Sequence, residues 1–377
     1  MNSYHIMKIL VRYAEIGLKG RNRGFFEKTL MRNIKNKLDC TITRMSGRIF
    51  LETSDKDPFP KLKKVFGIAS FSEVLKTDLD LEVIKKEALK VLKEKDIESF
   101  KVETQRSNKQ FELTSPEISR EVGAFLEEQT KLEVKLKDPD FVLNLEIQNK
   151  NSFIIRQTEQ GFGGLPVSSA GKVLSLLSGG IDSPVSSLMM MKRGCSVDFI
   201  HFHNYPHVKK ASIDKVKDLF NLLKDYQNSC QLILIPFTDV QKEIVTKCPA
   251  KLRILLYRRF MLRITEKFMV RHQAIVSGES LGQVSSQTLE NMGVVNQITS
   301  KLFLRPLVGM DKVDIIDLAK QFGTYETSIQ PHEDCCTFFV PRSPETKARI
   351  GEIELAEKDL DIDALVKACV DSVEIIS

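Results

Sequence analysis

Apolar and polar residues alternate through KILVRYAEI and again through TITRMSGRIFLE, while NRGFFEKTLMRNIKNKL between them carries its apolar positions at helical spacing. The pattern predicts strand, helix, strand over the first fifty residues. TSDKDPFP then interrupts it with acids and two prolines, marking a boundary near 53–60. A second α+β unit follows. LEVIKKEALKVLKEK reads as an amphipathic helix, SFKVETQRSNKQ as a strand, and TSPEISREVGAFLEEQ as a helix with Ser115 as cap and Pro116 in its first turn. FVLNLEIQNKNSFIIRQ reads as a hairpin turning at NKN.

TEQGFGGLPVSSAGK is rich in Gly, Ser and Pro and predicts a second linker at about 157–171. Beyond it the rhythm is strand–helix–strand. VLSLL is a continuous apolar run, as expected of a parallel strand covered on both faces. VDFIHFH, CQLILIPF, QAIVSG and LFLRPL are further strands, separated by helical stretches such as KLRILLYRRFMLRITEKFMVRH. The fold class is therefore α/β, with a doubly wound C-terminal domain preceded by two α+β segments.

The strand VLSLL ends in Ser178-Gly179-Gly180-Ile181-Asp182-Ser183. Ser183 is placed to cap the helix that follows, Pro184 to take its first position and Gly194 to close it. Two glycines let the backbone approach an anion, and a helix N-terminus supplies amides and a favourable dipole for phosphate. A ligand is expected at the carboxyl end of this strand on topological grounds as well. The lysine of a Walker loop is absent. A bare Ser-Gly-Gly turn is also compatible with a tight connection alone.

Charge sharpens the picture. The 377 residues carry a net +6, but residues 1–56 hold twelve Lys/Arg against five acids, +7, so the remainder sums to −1. A basic module on a near-neutral body suits a polyanionic partner such as nucleic acid, and suits a lysine-decorated surface equally. No run of about 18 apolar residues occurs, so no membrane span is expected and the chain reads as cytoplasmic. Seven cysteines are scattered at 40, 195, 230, 248, 335, 336 and 369 with no C-x-x-C, which argues against zinc and iron–sulfur sites. Buried reduced thiols are the expectation for most of them. The exception is the vicinal pair Cys335 and Cys336, whose ring would be too small for a relaxed disulfide.

SGGIDS resembles the pyrophosphate loop of the PP-loop ATP pyrophosphatases, which implies that Asp182 helps position Mg2+. More widely, VRYAEIGLKGRNRGFFE, FKVETQRSNK, LLSGGIDSPV, YRRFMLR, SGESLGQVSSQTLENM and PHEDCCTFFVP resemble the tRNA 4-thiouridine synthetase (tRNA sulfurtransferase, ThiI) family along essentially the whole chain. The resemblance implies a ferredoxin-like domain at 1–56, a THUMP RNA-binding domain at 57–165 and a PP-loop domain at 166–377. It implies an enzyme that uses ATP and Mg2+ to adenylate O4 of the uridine at position 8 of tRNA and then replaces that oxygen with sulfur from a cysteine persulfide. Nucleotide contacts are implied at Leu176, Leu177, Ser178, Gly179, Gly180, Asp182, Ser183, His201, Phe202, Arg258, Gly278 and Gln287. Cys335 is implied as sulfur carrier, with Cys336 resolving the persulfide or packing, and Asp182 as the third catalytic group. Lys19, Arg21, Arg23, Arg106 and Lys109 are candidate tRNA contacts, and the resemblance suggests a dimer.

Several of these residues have simpler readings. His201 and His203 share one face of a strand, where packing is the expectation because no third metal ligand is evident. Arg258 could pair with an acid on its own helix, and Gln287 alone is a polar loop residue. Glu333 and Asp334 would raise a neighbouring thiol's pKa unless Lys312 or Arg342 compensates. The chain ends too early for the rhodanese domain that some family members carry, so sulfur is expected from a donor such as a cysteine desulfurase, and a role in thiamine thiazole synthesis is correspondingly less expected. Another PP-loop tRNA-modifying or amide-forming enzyme would explain SGGIDS but not FKVETQRSNK, the basic N-terminus or EDCC. A non-catalytic RNA-binding protein would not need Ser178 and Asp182.

Overall fold

A computed structural model describes residues 6–205, 211–331 and 343–377. The chain divides into two compact units, Met1–Gly163 and Gly164–Ser377. Among the described residues no helix is long and apolar enough to cross a membrane.

The first unit is one eight-stranded sheet, ordered β2-β3-β1-β4-β8-β7-β5-β6. Its strands are β1 (Met7–Arg12), β2 (Thr41–Met45), β3 (Arg48–Thr53), β4 (Ser70–Thr77), β5 (Ser99–Arg106), β6 (Glu133–Val134), β7 (Phe141–Ile147) and β8 (Ser152–Gln160). Four helices accompany it: α1 (Arg23–Lys35), α2 (Phe59–Lys63), α3 (Leu81–Lys93) and α4 (Ser115–Thr130). Asp80 opens α3 by accepting from the amides of Glu82 and Val83 at 2.8 and 3.0 Å, and the helix then buries Ile84, Ala88, Val91 and Leu92. Thr114, not Ser115, caps α4. The spacing explains this, because Glu117 lies three residues after Thr114 and accepts from its amide at 2.7 Å, completing a capping box.

Two further differences from the sequence pattern have local causes. The pairing of β4 with β8 shifts register between Glu73 and Val74, leaving Arg156 of β8 as the extra residue, while β4 itself reads SFSEVLKT, with apolar residues at 71, 74 and 75 and no period of two to find. β8 runs on through Gln157, Thr158 and Glu159 to Gln160, so the first residues of the expected linker are strand. Their polar side chains face outward while β4 satisfies their backbone.

The second unit is a six-stranded sheet, ordered β13-β12-β9-β10-β11-β14. The strands are β9 (Lys172–Leu176), β10 (Ser196–His203), β11 (Leu232–Pro236), β12 (Ala274–Val276), β13 (Leu302–Leu304) and β14 (Glu374–Ile376). All pair in parallel except β14, which adds antiparallel to β11. Helices α5 (Asp182–Lys192), α6 (Ala211–Lys224), α7 (Thr238–Lys247), α8 (Arg253–Lys267), α9 (Leu289–Asn296), α10 (Lys312–Gln321), α11 (Tyr325–Ser328), α12 (Ile350–Glu357) and α13 (Ile362–Asp371) complete it. Sheet residues Leu174, Ile200, Ile233 and Ile275 form one fully buried core with Leu256, Phe260 and Ile264 of α8. From β9 the chain proceeds outward through β10 and β11, then returns to the other side of β9 as β12 and β13. The strand order reverses at β9, so the crevice outside its carboxyl end is the topological switch point of a doubly wound sheet.

Candidate active site

The anion loop occupies that crevice. Helix α5 begins at Asp182, two residues earlier than the capping expectation, and Ser183 and Pro184 take its second and third positions. Ser183 therefore does not cap the helix. Its Oγ instead accepts from the amide of Ser178 at 2.8 Å and lies 3.1 Å from Ser178 Oγ, while the Gly180 amide donates to Ser178 Oγ at 3.3 Å. These hydroxyls clasp the loop from within. The first amides of α5 have no intrahelical acceptors, and Asp182 and Ser183 line the crevice, an arrangement that suits phosphate oxygens.

Gly278, directly after β12, approaches this turn from the neighbouring strand. A Cβ built on it would stand 2.7 Å from Ser183 N and 2.8 Å from Asp182 C, so only glycine permits the approach. The loop that follows folds on itself, the Gly282 amide donating to Gln287 O at 2.8 Å, and this sets Gln287 against the crevice.

The resulting cleft has a volume of about 310 Å3. Leu176, Leu177, Ser178, Asp182, Ser183, His201, Phe202, Arg258, Gly278 and Gln287 all line it, whereas Gly179 and Gly180 lie in the turn and are not among its walls. His201 is buried and its Nδ1 is 2.8 Å from Leu177 O, a packing role that also fixes the end of β9. His203 holds its neutral form: burial first, and then the neighbouring His201, push its pKa down to about 4. No group of three or more metal-ligating side chains occurs among the described residues.

The cleft suits a nucleoside triphosphate. Ile200, Met261, Leu262, Val295 and Phe303 make an apolar end, and the opposite chemistry gathers at the anion loop. Gln287 Oε1 is buried and has no hydrogen-bond partner among the described residues, leaving an acceptor available to an amine such as that of adenine. Both oxygens of Asp182 are engaged: Oδ1 accepts from Lys312 Nζ, and Oδ2 from Gln283 Nε2 at 3.0 Å. Lys312, offered by the sequence as a counter-charge for the cysteine pair, is thus the partner of Asp182. Arg258 likewise pairs outside its own helix, with the buried Glu279.

Sequence reasoning missed Glu279, Gln283 and Arg305. A usable signal existed, since Arg305 directly follows LFL and Glu279 stands three residues beyond the buried run AIV, both at the carboxyl ends of parallel strands.

The cysteines separate cleanly. Cys335 and Cys336, with Glu333, Asp334 and Arg342, lie outside the described residues. Of the other five, Cys195, Cys230, Cys248 and Cys369 are buried and Cys40 is partly so. Burial pushes the thiols of Cys230, Cys248 and Cys369 up to about 11, and those of Cys40 and Cys195 upward too. None of these five is a ready thiolate at neutral pH.

In the first unit one candidate RNA contact, Arg23, is built on a buried carboxylate. Glu27 accepts from Arg23 Nε at 2.9 Å and also pairs with Arg44 and Tyr13. Burial works against its charge, yet these hydrogen bonds hold it below the usual carboxylate range. Glu146 accepts from Arg12 Nε at 2.7 Å and pairs with Arg48 at 3.5 Å, and Arg106 is the register partner of the adjacent Ile147. Arg12 of β1 and Arg48 of β3 thereby meet at Glu146 of β7, on the other half of the sheet. Arg106 also donates to Phe111 O at 2.9 Å, Lys19 lies 5.3 Å over the Phe26 ring, and Arg21 and Lys109 are exposed.

Comparison with known proteins agrees with this architecture. Residues 8–72 match the ThiI ferredoxin-like domain, 79–155 the THUMP domain and 168–362 the thiamine biosynthesis protein (ThiI) model. The chain is 43% identical over 378 residues to a probable tRNA sulfurtransferase of Moorella thermoacetica, spanning 98% of this chain and 97% of that protein. It is 44% identical to one of Clostridium kluyveri, spanning 98% and 99%. A crystal structure of a 4-thiouridine synthetase–RNA complex with bound ATP superposes with a TM-score of 0.90 at 36% identity, covering 99% of this chain and all of that one. PH1313 of Pyrococcus horikoshii superposes at 0.66 with 26% identity, over 84% of this chain and 99% of its own. With three matching domain models in order and relatives alike from end to end, the chain belongs to the ThiI family of tRNA sulfurtransferases.

Proposed function

We propose that this protein is an ATP-dependent tRNA sulfurtransferase that converts uridine 8 of tRNA to 4-thiouridine, releasing AMP and pyrophosphate. The observation that carries the reading is the self-clasped SGGIDS loop at the switch point of the sheet, opening on a cleft that suits ATP, in a chain alike over its length to a 4-thiouridine synthetase. The amides of α5 and the loop hold the departing pyrophosphate, and Arg258, Gly278 and Gln287 seat the nucleoside. Mg2+ would neutralise phosphate charge, and Asp182 is the side chain at the loop that would hold it, sharing Lys312 with the incoming phosphates.

In this scheme uridine O4 attacks the α-phosphorus and pyrophosphate leaves. The outer sulfur of a persulfide on Cys335 then adds at C4, and AMP departs with O4. The remaining S–S bond is cleaved by Cys336 or an external thiol, and a thiol reductant returns the pair to its reduced form. A cysteine desulfurase is the donor class that would recharge Cys335. The domains are assigned to 1–56, 57–165 and 166–377, and Lys19, Arg21, Arg23, Arg106 and Lys109 grip the tRNA backbone through charge and shape. Assembly as a homodimer is part of the same proposal.

Mass spectrometry of nucleosides from tRNA incubated with the protein, ATP and sulfide tests it. 4-Thiouridine is expected; its absence while AMP forms, or a different modified nucleoside, overturns the reading. Cys335→Ser is expected to form AMP without 4-thiouridine from a persulfide donor, and loss through Cys336→Ser alone would move the carrier by one residue.

A further inference from the structure

Glu279 has no assigned part in nucleotide binding, yet it is the most connected charge in the cleft wall. It is 7% exposed. Its Oε1 accepts from Arg258 Nη1, and its Oε2 accepts from Arg305 Nε at 2.5 Å and from Ser277 Oγ at 3.1 Å. The three donors come from α8, the end of β13 and the end of β12, so one carboxylate ties together three elements that border the cleft. Arg305 is itself held by Asn296 Oδ1 of α9 at 3.3 Å, and its guanidinium lies 3.9 Å over the ring of Phe303. Phe303 lines the cleft, as does Arg258.

A buried carboxylate between two guanidiniums leaves a net positive charge on the wall, and the shared pairing fixes where that charge stands. Arg258 has a long, rotamer-rich stem, and a guanidinium already bonded to a buried carboxylate loses less freedom when a ligand arrives. The same carboxylate reaches the apolar end of the cleft by a second route, because Arg305 stacks against Phe303 and holds the ring's outer face. Charge and aromatic wall are therefore set by one group.

We propose that Glu279 is a positioning residue for the nucleotide: it fixes Arg258 directly and Phe303 through Arg305. The proposal rests on the reading of the cleft as the ATP site. Full-length Glu279→Gln keeps the shape of the side chain and removes its charge. Binding of ATP by equilibrium dialysis, and AMP formation with tRNA and sulfide, are the readouts. Loss of one charge-assisted contact predicts Kd and KM for ATP raised roughly 10- to 100-fold, with kcat held within about threefold. The effects of Arg258→Gln and Glu279→Gln on ATP affinity are expected to combine sub-multiplicatively, since the part of Glu279's action that runs through Arg258 is lost only once and only the Phe303 part adds to it. If Glu279→Gln does not fold by thermal melting, Glu279→Asp retains the charge on a shorter stem and is expected to show the same KM-only defect, less than tenfold. A folded variant with wild-type ATP affinity, a fall in kcat at unchanged KM, or fully multiplicative effects with Arg258→Gln each overturn the inference. Wild-type protein that binds no ATP overturns the nucleotide reading beneath it.

Discussion

Replacing Gly278 by alanine adds one methyl group at the tightest backbone approach in the active site. The new Cβ would lie 2.7 Å from Ser183 N, 2.8 Å from Asp182 C and 3.0 Å from Ser183 Cα, against 3.4–4 Å for ordinary contact. Because all three neighbours are backbone, no side-chain rotation relieves the clash. Either α5 or the turn after β12 must retreat by most of an ångström. Overpacking of this kind costs about 1–3 kcal/mol, which for a unit of this size lowers Tm by roughly 2–10 °C. The catalytic cost is larger in proportion, since a displacement near 1 Å of a group that seats reacting atoms can cost about 100-fold. Thermal melting and ATP-dependent AMP formation measure the two effects, and Gly293→Ala supplies an internal control. Gly293 lies in α9 with nothing within 4 Å of its added Cβ, so that substitution is expected to be neutral or to gain about 0.5–1 kcal/mol of helix stability. If Gly278→Ala melts and turns over like wild type, or if Gly293→Ala is equally damaging, the close approach does not govern the loop and the reasoning fails.

Asp182→Ala is expected to abolish AMP formation while tRNA retention on a filter is unchanged. Lys312→Met, which frees the Asp182 carboxylate of its cation, is expected to lower kcat for AMP formation at least tenfold and to leave tRNA retention unchanged; AMP formation at the wild-type rate in Lys312→Met would remove Lys312 from the site. His203 contributes a pH dependence whose sign follows from its depressed pKa. The folded state keeps it neutral down to about 4, whereas the unfolded chain takes up a proton near 6.5, so the unfolded state binds more protons and stability falls as pH drops from 6.5 towards 4. A loss of about 1 kcal/mol by pH 5.5 is expected from urea midpoints, above the range where carboxylates titrate. His203→Gln should flatten that portion of the curve, and an unchanged slope would exclude His203 as its source.

Much of the site was legible because its chemistry is local. The glycines, serines and aspartate of SGGIDS stand next to one another at the end of an apolar run, and with the helix that follows they suggest an anion loop. The Glu279 cluster is different in kind. Its partners are 21 and 26 residues away, and no periodicity within one element encodes that meeting; only the rule about carboxyl ends of strands hints at it. Fold reading divided in the same way. β9 and β10 announced themselves as apolar runs, but β4 has its apolar residues at 71, 74 and 75 without alternation and β14 is three residues on the edge of a sheet. Both capping assignments slipped, Ser115 by one position for Thr114 and Ser183 by two, since it stands second in α5. In each case the residue three places on, or a tertiary hydroxyl partner, decided the outcome rather than the capping type itself.

Strand β4 is claimed on both sides, by β1 and by β8. That has a practical reach for anyone wishing to cut the first unit into separately expressed pieces. A fragment ending at residue 56 would carry β1 with one whole flank of amides and carbonyls bare, and its complement would carry the matching flank on β4. Such raw borders recruit strands from other molecules, so the pieces should precipitate or re-associate with each other instead of standing alone. The ferredoxin-like and THUMP modules are, in this chain, an indivisible inheritance.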